Sequence, residues 1–443
     1  MKIIKVFVTL LFIFGTVPVF SQKNILQSGP MVGYSEMREV MLWIQTTKEA
    51  KVHFEYWKKD NKEKRYKTTP AQAIKENAYV VKSIADQLEE GKEYNYEVFV
   101  NNKLIPRPYP LSFKSQALFH WRTDAPDFSF AFGSCNYVND SLYDRPGKPY
   151  GGGYEIFESI YQKHPDFMIW GGDNVYLREA DWTTTTGILY RNTHTRSLPQ
   201  LQPLLGSVHH YATWDDHDFG PNDSDRSFYN KEKTTEAFKL FWANSNSGVP
   251  EAGGIASTFV WNDVQFFLLD DRTFRSPNKR ATGEKTYLGE KQLNWLIDGL
   301  VYSHATFKII VCGGQVLNPA MVYENYANYS DERKKLLEAI ASEKIKGVVF
   351  LSGDRHFTEL SKLERENNLY PLYDLTISPL TSSSYPYKNE GNTIQLDSTL
   401  FNDRNFGIIK VAGKKNERKL IITIYDQKGK EIWTKELAKS LLE

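Results

Sequence analysis

Four apolar segments of this chain of 443 residues each run into a short polar string rich in potential metal ligands. Phe167-Met168-Ile169-Trp170 leads into Gly171-Gly172-Asp173-Asn174-Val175-Tyr176, which puts an acid and a phenol at the carboxyl end of a strand. Layered α/β sheets keep their chemistry at that end. Three more apolar runs finish in the same way, at Gly133-Ser134-Cys135-Asn136, Trp214-Asp215-Asp216-His217-Asp218 and Ser352-Gly353-Asp354-Arg355-His356. Thiol, carboxylate, phenol and imidazole groups so placed suit a metal-dependent phosphoesterase.

Each string has a bland reading beside the chemical one. The two glycines before Asp173 let the backbone turn sharply and expose its carboxylate. Tyr176 could reach the same ion, and a phenolate calls for a strongly Lewis-acidic partner such as Fe(III); loop packing is its alternative. The three acids among residues 215–218 repel one another unless compensated. Asp216 there is a metal-ligand candidate, and His217, which titrates near neutrality, can protonate a leaving group or steady a phosphoryl oxygen. A solvated acidic loop is the alternative. Asp354 and His356, two residues apart, aim to one side of an extended segment. Gln315, after Val311-Cys312-Gly313-Gly314, offers a neutral oxygen to a hard cation such as Ca²⁺, or else a structural hydrogen bond. Arg272, Arg355 and Asn174 are candidates for binding substrate. A planar guanidinium fits phosphate oxygens, with a structural ion pair the alternative for either arginine.

The chain has only two cysteines, Cys135 and Cys312. Pairing them as a disulfide is one reading; the other makes Cys135 a metal thiolate and Cys312 a packed small hydrophobe. The position of Cys135 among the other ligand types favours the second. Lys2 and Lys5, the uncharged stretch 6–20 and Ser21 have the three parts of a cleavable secretory signal at 1–21, implying a secreted or periplasmic protein. That stretch is shorter than the roughly 20 residues of a bilayer span, and no later segment could cross a membrane. Lys plus Arg number 55 against 54 Asp plus Glu, so no net field recruits nucleic acid or an anionic membrane.

The elements that must position these groups fall into two regions. Residues 22–124 alternate with period two, as in Lys51-Val52-His53-Phe54-Glu55-Tyr56, and predict an all-β fibronectin III or immunoglobulin-like sandwich. The string from Leu88 to Tyr96 resembles the approach to a late strand in such domains, where a buried phenol bonds back to the backbone. Residues 125–443 alternate apolar strands with amphipathic helices, predicted at 154–164, 290–303 and 331–344. Residues 178–202 read as a long, polar, Thr-rich stretch overhanging the site, and 407–411 and 419–425 as strands of a closing β layer.

Taken in order, the motifs resemble those of the PhoD-like alkaline phosphatase and phosphodiesterase family, within the calcineurin-like metallophosphoesterase fold. They comprise Gly133-Ser134-Cys135, Gly172-Asp173 with Tyr176, Trp214-Asp215-Asp216-His217-Asp218, Asp271-Arg272 with Arg275, Leu288-Gly289 with Gln292 and Trp295-Leu296, and Gly353-Asp354 with His356. The resemblance implies an α/β (α+β) four-layer catalytic domain of two packed sheets flanked by helices. It further implies one iron with one or two calcium ions, or other divalent metals: Asp173 bridging, Cys135 and Tyr176 on Fe(III), Asp216 on calcium, Asp354 and His356 completing the set, and His217 near the phosphate. Two departures stand out, Gly314 where the family commonly has Asn and Asn136 where it has Gln. The expected protein is a monomer hydrolysing small phosphate monoesters or diesters by attack of a metal-activated water. The rivals are a phospholipase D-type phosphodiesterase and, in another class, an inactive protein that binds a surface polymer.

Overall fold

Apolar runs such as Phe167–Gly171, Phe307–Cys312 and Val348–Ser352 are buried at every position, as strands covered on both faces require. The structure is a computed structural model that describes residues 25–443; the leader read at 1–21 lies outside the described residues. Among the described residues the chain forms sheets of nine, six and six strands. The first sheet runs Glu431–Ala438, Lys419–Asp426, Asn405–Ala412, Phe128–Gly133, Phe167–Gly171, His209–Thr213, Leu26–Ser35, Val40–Thr46, Val80–Ala85. The second runs Ser257–Trp261, Val264–Leu268, Phe307–Cys312, Val348–Ser352, Leu372–Thr376, Glu359–Leu363.

These two sheets face each other across one apolar core, in which Phe130, Phe132, Phe167 and Ile169 meet Phe266, Ile309, Val311 and Leu351. Helices Ile156–Gln162, Gln202–Ser207 and Lys231–Phe241 supply side chains to a second core on the outer face of the first sheet. Glu290–Tyr302 and Ser330–Ser342 do the same for the second sheet. The result is the expected four-layer α/β architecture, with its closing β layer at Asn405–Ala412 and Lys419–Asp426. No helix among the described residues is long and apolar enough to cross a membrane.

The N-terminal region is all β, with its own core of aliphatic and aromatic side chains that includes Leu42, Val52, Phe54, Tyr94 and Val98. The phenol of Tyr94 accepts a 2.7 Å bond from the Glu89 backbone N–H, the turn-and-tyrosine feature read from the sequence. It is not a free-standing sandwich, however. Strands Leu26–Ser35, Val40–Thr46 and Val80–Ala85 are the edge of the nine-stranded sheet, with Val32 paired in parallel to His209. Period-two alternation fixes which face of a strand is buried but not which strand lies beside it. His209 seals the seam: its Nδ1 donates to the Gly33 carbonyl at 2.8 Å and its Nε2 accepts from the Lys114 N–H at 3.0 Å.

The stretch 178–202, read as long, polar and Thr-rich, is ordered in good part as helix. It contains the helix Thr185–Arg196, capped by the Thr184 hydroxyl accepting from the Gly187 N–H. Its buried residues include Arg191, Asn192, Thr195 and Arg196, so its inner face is polar and carries no apolar stripe for a periodicity argument to find. Arg191 is ion-paired there with Asp181 at 2.7 Å and Asp140 at 3.2 Å.

Candidate metal centre

Register brings the strand ends together. Gly133 pairs with Trp170, Gly171 with Thr213, and Cys312 with Ser352, so the polar strings leave both sheets at one end. There the sheets approach so closely that a Cβ on Gly353 would stand 2.5 Å from Ser134 Oγ and 3.1 Å from the Gly171 carbonyl oxygen. Cys135, Asp173, Asp354 and His356 all have positive φ, between 52° and 64°. Non-glycine residues avoid that region unless their surroundings over-determine it, and such strain clusters at functional sites. Four ligand candidates on three different loops share it.

Three groups of side chains place their donor atoms within 4.8 Å of one another: Cys135, Asp173 and His356; Asp173, Asp216 and His217; and Asp216, Asp223 and Glu324. Asp173 belongs to the first two groups and Asp216 to the last two, so the groups form a continuous chain. Tyr176 joins the first group, its Oη 3.3 Å from His356 Nε2. His356 Nδ1 donates to the Ser383 carbonyl at 2.6 Å, which leaves Nε2 as the lone-pair nitrogen facing Tyr176 and fixes the tautomer a metal would need. The thiol of Cys135 lies 3.6 Å from Asp173 Oδ2 and accepts from Ser378 Oγ at 3.1 Å. Both cysteines are free and buried, so the disulfide reading is set aside.

Electrostatics point the same way. Burial, with repulsion from Asp216, Cys135, Asp218 and Asp354, pushes the Asp173 carboxyl well above its ordinary range. Burial also acts on Asp216, but His217, Arg272 and the Asp223 N–H, which donates to its Oδ2 at 2.7 Å, outweigh it and hold that carboxyl at about 2. Burial lowers His217 and His356, leaving neutral imidazoles at pH 7, the form that ligates metals. Burial raises Cys135 to about 11 and Tyr176 further above its ordinary value. Asn174 Oδ1 is buried without a hydrogen-bond partner, while its Nδ2 donates to the Thr213 carbonyl at 2.6 Å. Crowded buried acids, an orphaned amide oxygen and a mixed sulfur, nitrogen and oxygen donor set fit bound metal ions. Sulfur and phenol around Asp173 suit a strong Lewis acid, and the oxygens around Asp216 a hard cation.

Three sequence expectations need correction. Gln315 is buried below the cluster: its Nε2 donates to Glu359 and Thr376, each at 2.8 Å, and its Oε1 accepts from Asn318 at 2.8 Å. It is thus the hydrogen-bonding glutamine rather than a calcium ligand. Arg272 is fully buried among Asp215, Asp271 and Glu324, which gives it the structural ion pair in place of phosphate. Arg355 is ion-paired too, with Glu390 and with Asp354 at 3.5 Å. Gly314 has a local cause, since a Cβ there would stand 2.6 Å from the Tyr287 hydroxyl, which itself donates to Asp271 at 3.1 Å. Arg275 and Gln292 are architectural as well: Arg275 pairs with Glu324 at 2.9 Å, and Gln292 bonds the backbone of Asp270 at 2.7 and 2.8 Å.

Sequence reasoning missed Asp223 and Glu324 as members of the cluster. Asp223 follows Gly220-Pro221-Asn222, a turn signal that returns the chain toward Asp216. Glu324 lies in an irregular segment after Cys312 and carried no signal.

Comparison with known proteins agrees with this geometry. The chain is 24% identical over 335 residues to "Alkaline phosphatase D" of Bacillus subtilis (strain 168), a match over 65% of this chain and 54% of the relative, so the chain spans about half the length of that curated relative. A solved structure of PhoD superposes with a TM-score of 0.75 at 18% identity, covering 95% of this chain and 93% of the other. A purple acid phosphatase, PPD1 from yellow lupin (Lupinus luteus) seeds, superposes at 0.67 with 12% identity, over 94% and 75% of the two chains. At these identities the likeness is one of fold. The N-terminal residues 23–117 match a domain of unknown function, DUF7800. A PhoD-like phosphatase model covers residues 130–417, more than half of the chain and every group of the cluster, and with that match the chain belongs to the PhoD-like phosphatase family.

Proposed function

We propose that this protein is a metal-dependent phosphoester hydrolase, of the alkaline phosphatase and phosphodiesterase kind. The observation that carries the reading is the chain of three donor groups that share Asp173 and then Asp216 at the joint end of the two sheets. Cys135, Tyr176, Asp173 and His356 would hold Fe³⁺; Asp216, Asp223 and Glu324, with Asp173 or Asp354, would hold Ca²⁺. When bound, such ions neutralise phosphoryl oxygens and acidify an attacking water.

The chain's own residues supply the rest. Asp218 accepts from the Asn174 and Val175 N–H groups at 3.1 and 3.0 Å, which orients the loop bearing Asp173. His217 is half-buried, neutral at pH 7, and packed 4.2 Å from the Tyr176 ring, placed to steady a phosphoryl oxygen through its ring N–H. A secreted or periplasmic location rests on the leader-like residues 1–21. The test is hydrolysis of an aryl phosphomonoester and the matching diester, side by side, by protein purified without chelator and given Ca²⁺. Turnover of either is expected; folded, metal-replete protein inert toward both would refute the reading.

A further inference from the structure

Two tyrosines at the mouth of the metal centre are exposed although each has one ring face covered. Tyr385 is 58% exposed and Tyr323 is 65% exposed. Isolated exposed tyrosines are ordinary, but these two are backed by consecutive residues of the loop that carries the metal-ligand candidates. The Tyr385 ring lies parallel to the His356 imidazole, 5.7 Å between centroids at 16°. The Arg355 guanidinium sits 4.0 Å over the Tyr323 ring. Tyr385 also meets the Tyr150 ring, 6.5 Å between centroids at 49°, and both tyrosines still keep most of their surface in solvent.

Both rings are held. The segment bearing Tyr385 is tied down where the Ser383 carbonyl accepts from His356, where Ser383 Oγ donates to the Tyr150 carbonyl at 2.7 Å, and where Asn402 donates to the Tyr385 carbonyl. Glu390, farther along the same segment, pairs with Arg355. Tyr323 has φ of 46°, and its carbonyl accepts from Asn328 Nδ2 at 3.0 Å. A bulky residue kept in the left-handed region points to a role for its placement.

The geometry points to an aromatic platform, Tyr385 with Tyr323, that binds a planar aromatic group of the ester, a nucleobase or an aryl ring, beside the scissile phosphate. This rests on the phosphoesterase reading and names its substrate class. A ring already backed by a guanidinium or an imidazole is better suited to offset stacking with another π system than to receiving a second cation, which disfavours a quaternary ammonium headgroup. Stacking of a base on an aromatic side chain corresponds to roughly tenfold in binding per ring.

The test uses three p-nitrophenyl phosphodiesters that share one leaving group and differ in the retained group: phenyl, thymidin-5′-yl or ethyl. The full-length metal-replete protein is compared with Tyr385→Leu and Tyr323→Leu, the second of which leaves the His356 stack alone. The expected result is a fall of about tenfold in the ratio of aromatic to ethyl kcat/KM in each variant. The phenyl and thymidinyl arms tell an aryl from a nucleoside preference. Ratios within twofold of the parent's in both variants overturn the platform, as does a parent that hydrolyses only p-nitrophenyl phosphate. A parent inert toward every ester overturns the phosphoesterase reading along with it.

Discussion

Acid should loosen this fold through two adjacent histidines on the strand His209–Thr213. His209 donates through Nδ1 to Gly33 and accepts through Nε2 from Lys114. His210 accepts through Nδ1 from the Trp170 indole N–H at 3.0 Å and donates through Nε2 to the Leu204 carbonyl at 3.2 Å. Each imidazole is thus neutral and uses its lone pair, so a second proton breaks a bond and charges a buried ring. Burial lowers His209 to about 4 and His210 to about 3, against 6.5 in an open chain. Between those limits the unfolded chain binds more protons than the folded one, so stability falls as pH falls. The full drop is about 3 kcal/mol for His209 and about 5 kcal/mol for His210, from shifts of about 2.5 and 3.5 units at 1.36 kcal/mol each. Between pH 6.5 and 5 each histidine adds a slope of up to about 1.4 kcal/mol per pH unit. Urea unfolding of the parent, His209→Gln and His210→Gln across that window gives the slopes, and the differences remove what the three proteins share. Each variant should lose about one proton's worth of slope. Parent and variants with parallel pH dependences would refute the assigned tautomers and the neutral buried state.

Other predictions follow from single contacts. Arg272→Met leaves the buried Asp215 without its guanidinium partner and should cost about 3–5 kcal/mol in chemical unfolding; a stable variant with KM for a phosphate ester raised tenfold would return Arg272 to phosphate binding. Tyr94→Phe removes the bond to the Glu89 N–H and should cost about 0.5–1.5 kcal/mol, read from the unfolding midpoint. Cys135, at about 11 without metal, must lose its proton to ligate, so this thiol alone should contribute about tenfold per pH unit to metal affinity between pH 6 and 9, with Tyr176, raised further, adding a proton of its own. Cys135→Ser should change that slope, measured by competition with a chelator of known pH dependence.

The legible parts of this molecule were those in which local pattern and tertiary role coincide. Strands such as Phe167–Gly171 and Val348–Ser352 are short apolar runs because both faces are covered, and the ligand types that follow them declared the site end of the sheets. Helices Glu290–Tyr302 and Ser330–Ser342 carry apolar stripes because they lie on a sheet. The helix Thr185–Arg196 was illegible for the converse reason, since its buried Arg191 is paired with Asp140 and Asp181, acids outside the helix that no periodicity ties to it. The sharing of one sheet by the N-terminal strands and the catalytic layer depends on pairing partners, which alternation does not encode. Asp223 and Glu324 reach the cluster from irregular segments, and the roles of Gln315 and Arg272 turned on neighbours, Glu359 and Glu324, that no local spacing reveals.

The central claim is that Asp173 joins two metal sites of a phosphoester hydrolase. Elemental analysis of chelator-free parent and Asp173→Asn, combined with aryl phosphate hydrolysis by the same samples, tests it most directly. The account predicts more than one metal ion per chain in the parent, fewer in the variant, and loss of hydrolysis with the fold retained. Full turnover by the variant, or by metal-depleted parent, would contradict it.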